Sequence, residues 1–580
     1  MDEIMQAEKP GRVSRNEWLL VLGIAAGVMI LTVLPYVRAV QMAGAGASFC
    51  GFLWGVDEGN VYLSWLRQAA AGRWLLANQY TIAPQNPHFF NIFLILLGRL
   101  SALTGLAPIV VFHLARFLGG MFLLGAFYLL VAEITASRRI RLAALLIAAL
   151  SSGLGWIVYL QAKMSGLPLG AWDGLRPMDV AYGWQAQPEA VTFLSLLLNP
   201  LFVISMGLLC LVFRYGMRAA RAPGLHSAVA SGVLLLILGN VHAYDALIVY
   251  LALFVWFVLV AVLGIITWRM AAGRYAVIAL LGLPGPLWAY YTMRLDPAYA
   301  QKAATPTRSA MPWDYAIGYG LVFLLALVGT VVIIRLRKTA AGRAGEKFNR
   351  ELLFPIVWAA LGFGLLYLPV SFQRKLIEGL HLPLCLLTAV ALVELHRRLA
   401  GRVSFALVLV VFLLLTVPSN LLFLADCFDH LAVNNVDLLR YLMPPAYLSK
   451  AEKTALNWLE ANAPPGAVVL CSSLTGSHIP AHTPCRVVAG HWAETLRFGE
   501  RLQLVGYFYL PGQEPSVRRQ ILRGTGADFV YYGPQEQLLQ QGMAAGGQFE
   551  LDAQWDPSVG LPELEMAFVG DGLRIYRVGE

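Results

Sequence analysis

From Trp18 to Leu424 the chain is a succession of apolar runs broken by short polar stretches. Each run reaches the ~18 residues that a helix needs to cross ~30 Å of hydrocarbon. Backbone polar groups at that depth must pair internally, and the runs are too long for barrel strands, so the pattern predicts helices. About eleven are expected, near 18–38, 107–134, 142–160, 191–213, 227–243, 246–267, 275–293, 315–334, 352–370, 379–395 and 403–424. Gly282, Pro284 and Pro286 interrupt one of them. A long outer loop, 39–105, follows the first helix. Within it Tyr62, Trp65, Leu66 and Ala69 share one helical face, with Asn60, Ser64, Arg67 and Ala71 opposite. That spacing predicts a helix lying in the membrane interface. The apolar stretch Pro87–Leu103 reads as a second interfacial helix, which keeps later loops on the sides that their charges require. Further outer loops are expected at 161–190, 294–314 and 371–378.

From Ala425 the pattern changes to short apolar strands alternating with amphipathic helices. Strands are expected at Ala467–Cys471, Arg486–Gly490, Asp528–Tyr532, 564–569 and 572–577, with helices near 451–462, 493–508 and 515–524. The fold class that follows is a polytopic α-helical membrane protein with a small C-terminal α/β soluble domain. The expected division is 1–424, carrying the outer loop 39–105, and 425–580.

Composition agrees: hydrophobic residues make up 58% of the 580 and charged residues 13%. The net charge of +9 invites a nucleic-acid reading, which its distribution excludes. Twenty of the 43 Lys and Arg fall in loops that a consistent topology places on one side, from Lys9, Arg12 and Arg15 through Arg335–Arg350 to Arg402. This is the positive-inside pattern, so the N-terminus is expected in the cytoplasm and residues 425–580 outside, periplasmic or extracellular. Ala43-Gly44-Ala45-Gly46-Ala47 mimics a signal-peptidase site, but the run before it exceeds a signal peptide's ~7–15 apolar residues, so it reads as a retained helix. Cys471 and Cys485 both fall in the exported region, where a disulfide is allowed; sequence spacing leaves that pairing open.

An ionised group at mid-membrane is costly, so where acids lie is informative. Here they gather at the outer ends of the helices. Asp57 and Glu58 open the first outer loop beside Phe52-Leu53-Trp54, a setting that can raise a carboxylate's pKa toward that of a base. The same acids also suit a plain helix N-terminus. Glu189 sits at the outer start of the 191–213 helix, again a position that favours an acid. His242, Tyr244 and Asp245 cluster at a helix end, where His242 and Asp245 can bind a metal, pair with each other, or cap the helix. Arg374 and Lys375 lie outside, against the positive-inside bias, and Glu378 follows them. A phosphate partner explains those two cations, as does snorkelling toward lipid headgroups. In the tail, His478, His482 and His491 match no strong metal pattern. Gly490-His491-Trp492-Ala493-Glu494, between a strand and a helix, suits recognition better than catalysis.

The acidic pair Asp57-Glu58, the interfacial helix ending near Gly72-Arg73-Trp74, the second segment opening at Asn86-Pro87-His88, and Glu189 together resemble the GT-C superfamily of membrane glycosyltransferases. That group includes protein O-mannosyltransferases and the lipid A aminoarabinose transferase. Such relatives commonly begin the second segment with Lys-Pro, whose basic residue helps to hold the donor phosphate. This chain has Asn86 there, leaving the task to His88 or to Arg374 and Lys375. The resemblance implies a bacterial inner-membrane, multi-pass enzyme that moves a sugar, with inversion, from a polyprenyl-phosphate donor to a lipid, glycan or protein acceptor. In that scheme Asp57 is the base, assisted by Glu58 and Glu189. His88, His242, Tyr244, Asp245, Arg374, Lys375 and Glu378 contact substrate, and a divalent metal is a further candidate, held by Asp57, Glu58, His242 or Asp245. The alternatives are a transporter or flippase, against which the lack of mid-span charges other than Arg116 weighs, and a non-catalytic anchoring protein.

Overall fold

The computed structural model describes residues 13–164, 187–341, 348–400, 402–437, 441–545 and 555–579. Lys9, Arg12, Arg343, Lys347 and most of the expected outer loop 161–190 lie outside the described residues. The chain divides into two compact units. The first is Met1–Leu34, His113–Tyr290 and Pro306–Asp426; the second is Pro35–Phe112, Tyr291–Thr305 and Cys427–Glu580. The outer loop therefore groups with the tail.

This is a multi-pass membrane protein. Eight described helices are long and apolar enough to cross a membrane, from Arg15–Met42 to Phe405–Ala432. A ninth is the pair Trp268–Gly282 and Pro284–Leu295, bent by 41°. The bend falls where Gly282, Pro284 and Pro286 were expected to interrupt the run, because proline removes a backbone donor and its ring clashes one turn back. The spans expected at 227–243 and 352–370 are also helical but shorter, at His226–Val241 and Phe354–Leu365.

Within the first unit the helices approach closely where side chains are absent. A Cβ on Gly153 would lie 1.6 Å from the Gly318 carbonyl oxygen, and one on Gly329 would lie 2.0 Å from that of Leu387. Hydrocarbon supplies little hydrophobic drive between helices, so such backbone proximity, with its dispersion contacts, is what holds them. The mid-span Arg116 is buried, and its guanidinium donates to Thr32 Oγ1 and to the Leu196 carbonyl, both at 2.8 Å. Several arginines behind the topology reading are partnered too. Glu133 gathers Arg218 at 2.7 Å, Arg221, and Arg214 at 3.6 Å, while Glu17 pairs with Arg141 at 2.8 Å.

In the second unit, Gly55 adopts φ 62° and turns the chain into a helix, Val56–Ala70. The helix Ile92–Thr104, capped by Asn91, packs on it so tightly that a Cβ on Gly98 would lie 2.5 Å from that of Ala69. The stripe expected to face water does not. Asn60 and Ser64 are fully buried. Asn60 Nδ2 donates to Ser477 Oγ at 3.1 Å, Ser64 Oγ to Gln79 Oε1 at 3.0 Å, and Arg67 Nε to the Pro480 carbonyl at 3.4 Å. The polar face is used to bind the tail, so this helix is sandwiched rather than afloat in an interface.

The tail holds a five-stranded sheet: β1 (Val468–Leu470), β2 (Arg486–Val487), β3 (Phe529–Tyr532), β4 (Leu564–Gly570) and β5 (Leu573–Val578), in the order β2-β1-β3-β5-β4. β1 runs parallel to β2 and β3, and the last two strands form an antiparallel hairpin. The β2 edge is covered by the outer loop, with the Val487 amide donating to the Gln79 carbonyl at 3.1 Å. A further ladder pairs Ala47–Phe49 of the loop with Tyr447–Ser449 of the tail. Cys471 and Cys485 are buried and unbonded. The β1–β2 register sets Val468 opposite Arg486, which leaves the two cysteines four positions apart along the strands. That offset is roughly 13 Å at ~3.3 Å per residue, beyond disulfide reach.

Two tail helices, Ser473–His482 and Pro534–Ala545, were not expected from the sequence. Between their N-termini lies the fully buried Glu536. Its carboxylate accepts from the Ser472 amide at 2.8 Å and the Gly533 amide at 3.0 Å. Burial pushes Glu536 up to about 7, against the hydrogen bonds from Thr475 and Ser472.

Two outcomes are expected. Reporter fusions after Arg343 and after Glu580 should read cytoplasmic and external respectively, as the Lys/Arg asymmetry requires; a cytoplasmic signal from the second reverses the topology. For Glu536, the folded pKa lies above the unfolded value, so its stabilising contribution is complete below the unfolded pKa near ~4.3 and lost as pH rises through about 7. Hydrogen-exchange protection of 468–482, corrected for intrinsic rate, should fall from pH 5 to pH 8, and Glu536→Gln should flatten that fall.

Candidate functional site

The site residues expected from the sequence fall in both units, and each unit's set has its own geometry. In the second unit, Asp57 and Glu58 occupy the first turn of the Val56–Ala70 helix, where the macrodipole favours negative charge. Phe52 closes the wall behind them: its ring lies where any side chain on Gly59 would have to go, and it meets Phe112 edge-on at 5.5 Å. Asp57 is largely buried and Glu58 half-exposed.

The residue facing this pair is His491, fully buried, with Nε2 3.8 Å from Asp57 Oδ2 and 3.6 Å from Glu58 Oε1. Its Nδ1 accepts from the amides of Ala493 at 3.1 Å and Glu494 at 3.2 Å. An acceptor nitrogen carries no proton, so the neutral ring holds its N–H on Nε2, toward the acids. Two glycines set the ring's position. A Cβ on Gly476 would lie 2.0 Å from the Ala489 carbonyl, and one on Gly490 would lie 2.4 Å from that of Gly476, so the turn presses directly on the helix. Tyr80 flanks the imidazole at 6.1 Å. Glu494 is buried too, paired with Lys302 and receiving Asn78 Nδ2.

Burial raises the pKa of Asp57; His491 opposes this and Glu58 adds to it. For His491, burial disfavours the cation, but Glu58, Asp57 and Glu494 outweigh that and raise its pKa. The group can thus exchange a proton: a carboxylate held above its usual range beside a histidine that stabilises its charged form. His88 is placed apart from this exchange, its Nδ1 donating to its own neighbour's carbonyl, Asn86 O, at 2.5 Å and its ring edge-on to Tyr291.

In the first unit a tight turn joins His226–Val241 to Asp245–Val262 and sets His242 beside Asp245. Glu378 ends the short turn Gln373–Ile377. His242 Nδ1 lies 3.2 Å from Asp245 Oδ1 and 3.2 Å from Glu378 Oε2. One ligand atom from each residue falls within 4.8 Å of the others. Ser205 donates to the remaining Glu378 oxygen, Oε1. Lys375 Nζ sits 4.9 Å over the Tyr244 ring, and Tyr244 in turn lies against His242. Arg374 Nε is buried without a hydrogen-bond partner, a donor suited to an anion. Glu189 lies within the electrostatic reach of Arg374, Lys375 and His242; its pKa is raised by burial, which a backbone hydrogen bond and these three side chains counter.

The first unit thus brings seven of the expected residues into one neighbourhood: Glu189, His242, Tyr244, Asp245, Arg374, Lys375 and Glu378. In the second unit, sequence reasoning singled out the acids but assigned them no partner. His491 and Glu494 enter the sequence reading only within the Gly490–Glu494 recognition motif, and Lys302 carries no sequence signal. The available signal was Gly490 ahead of His491, a backbone position that tolerates no side chain.

No protein-family model and no curated protein sequence matches the chain. Solved structures do. Archaeal oligosaccharyltransferase AglB from Archaeoglobus fulgidus, in complex with an inhibitory peptide and a dolichol-phosphate, matches at TM-score 0.54 and 12% identity, over 98% of this chain and 75% of that one. The Archaeoglobus fulgidus oligosaccharyltransferase in complex with Zn and sulfate matches at TM-score 0.52 and 12% identity, over 88% and 67%. ArnT from Cupriavidus metallidurans matches over 97% and 98% at 13% identity, but its TM-score of 0.45 is too low to bear on the fold. The chain shares the fold of the archaeal oligosaccharyltransferase.

Proposed function

We propose that the protein is a glycosyltransferase that moves a sugar from a polyprenyl-phosphate-linked donor to an acceptor hydroxyl at the outer face of a bacterial inner membrane. Its N-terminus is cytoplasmic and its tail outside. The observation that carries the reading is Asp57: a largely buried carboxylate with a raised pKa, at a helix start, facing the Nε2 of His491. Support for the donor comes from the AglB structure with dolichol-phosphate, and for an acceptor of peptide type from its inhibitory peptide. A divalent cation is part of the proposal, in keeping with the neighbour that holds Zn.

The reaction needs two functions, and separate sets of residues suit each. A lipid phosphate is a fair leaving group, so the acceptor hydroxyl must lose its proton and the departing phosphate must be neutralised. Asp57 takes the acceptor proton as the acceptor oxygen bonds to the anomeric carbon and the C–O bond to phosphate breaks. A single displacement of this kind inverts the anomeric centre. Glu58 and Glu189 are the reserve acids. Arg374 and Lys375 receive the phosphate, Arg374 through the donor that now lacks a partner. His88 and Tyr244 complete the substrate contacts.

Transfer measured in liposomes, with donor binding followed separately, tests these roles. Asp57→Asn should lower kcat by ~10²–10⁴-fold, the range of a positioned base, and leave donor binding intact; Glu58→Gln should be milder. His491 favours the ionised form of Asp57, so His491→Gln should raise the base's pKa and move the acid limb of the pH profile to higher pH. Arg374→Ala should weaken donor binding. Near-wild-type turnover in Asp57→Asn removes it as the base. The 41° break in Trp268–Leu295 favours a transporter as the second reading, since broken helices mark carrier sites. Solute uptake by the same liposomes, without donor binding, would establish it.

A further inference from the structure

The structure assigns a binding site for one divalent transition cation to His242 Nδ1, Asp245 and Glu378, wholly within the first unit. Three separate elements bring these donors together: the end of one helix, the start of the next, and the turn after Gln373–Ile377. The two 3.2 Å separations about His242 Nδ1 approach the ~3.4 Å edge of a tetrahedron whose metal–ligand bonds are ~2.1 Å long. His242 Nδ1 faces Asp245 Oδ1 and Glu378 Oε2, both at 3.2 Å, and Asp245 Oδ2, on the same carboxylate, is buried with no hydrogen-bond partner of its own. One ring nitrogen offers one proton at most, so two buried carboxylates converging on it are costly without further charge beside them.

The neighbours act as a supporting shell. Ser205 engages Glu378 Oε1 and so leaves Oε2 for the centre. The rings of Phe202, at 6.2 Å, and Tyr244, at 5.6 Å, meet the imidazole edge-on. Metal ligands are usually oriented by outer contacts of this kind. Lys375 does not neutralise the two carboxylates by contact, since its ammonium lies over the Tyr244 ring. One imidazole with two carboxylates suits Mn²⁺ or Zn²⁺; Ca²⁺ takes ~6–8 oxygens at longer distances. Of the four metal candidates read from the sequence, the assignment takes His242 and Asp245, adds Glu378, and leaves out Asp57 and Glu58. It stands whether or not the protein transfers sugar.

The full chain, purified in detergent, stripped with a chelator and reloaded with Mn²⁺ or Zn²⁺, should retain close to one equivalent after gel filtration, measured by elemental analysis. Asp57→Asn should retain the same amount, while Glu378→Gln and Asp245→Asn should lose it. The added cation should raise the unfolding temperature of the wild type and of Asp57→Asn but not of the other two. Should the latter fail to fold, Ser205→Ala decides by titration: it should bind ~10–100-fold more weakly than wild type, the usual effect of losing an outer contact. A wild type that takes up no cation and shows no thermal shift would mean that the triad is an ion pair, and would overturn the assignment. Metal lost from Asp57→Asn but kept in Glu378→Gln would overturn it equally, moving the site to the outer loop. A chain that holds its cation through the triad yet transfers no sugar would sink the transferase reading alone.

Discussion

Hydrocarbon cannot solvate a charge or an unpaired backbone group, and most of this structure follows from that one constraint. It forces the long apolar runs into helices and leaves their packing to close backbone contact, as at Gly153 and Gly329. It requires that Arg116 find its partners inside the protein, in Thr32 and the Leu196 carbonyl. It also moves acids to helix ends, where either water or a dedicated partner is available. Glu17 and Glu133 have arginine partners. Asp57, Asp245 and Glu378 do not, and that difference separates structural acids from the candidates for chemistry.

How much of this could be read from the sequence depended on whether the signal was local. Hydrophobic run length is local, and each of the eleven expected spans has a helix, even where His226–Val241 and Phe354–Leu365 prove short. The broken span was legible because proline acts on its own helix. The five strands of the tail were legible because apolar runs bounded by turn residues mark them. Ser473–His482 was not: it is buried on nearly every side and contains Pro480, so it shows no amphipathic period. The polar stripe of Val56–Ala70 misled for a related reason. Amphipathicity says that a face is polar, not whether water or another protein segment satisfies it, and here Ser477, Gln79 and Pro480 do so.

The same distinction explains the tail. Its sheet has one edge occupied by the Gln79 backbone, and the outer loop lends a strand to the ladder at Tyr447–Ser449. Residues more than 400 positions apart thus fold as one body, and the sequence distance from Asp57 to His491 hides a separation of 3.8 Å. A histidine whose Nδ1 is held by two amides has one orientation and one neutral tautomer. That is a costly arrangement to build for a passive spacer, since it needs Gly476 and Gly490 bare to bring the turn close enough.

The two acid clusters are built for different tasks, and the difference lies in what each histidine offers. His491 satisfies its Nδ1 on the backbone and presents a single N–H to carboxylates more than 3.5 Å away, leaving space for a proton to be exchanged. His242 presents Nδ1 itself to two carboxylate oxygens at 3.2 Å. A neutral imidazole there can donate one proton to one oxygen, which leaves the other carboxylate buried and uncompensated. A proton suffices for the first cluster, while in the second two carboxylates converge on one imidazole nitrogen. That donor set is the one the proposed divalent cation would match in charge and in number of partners.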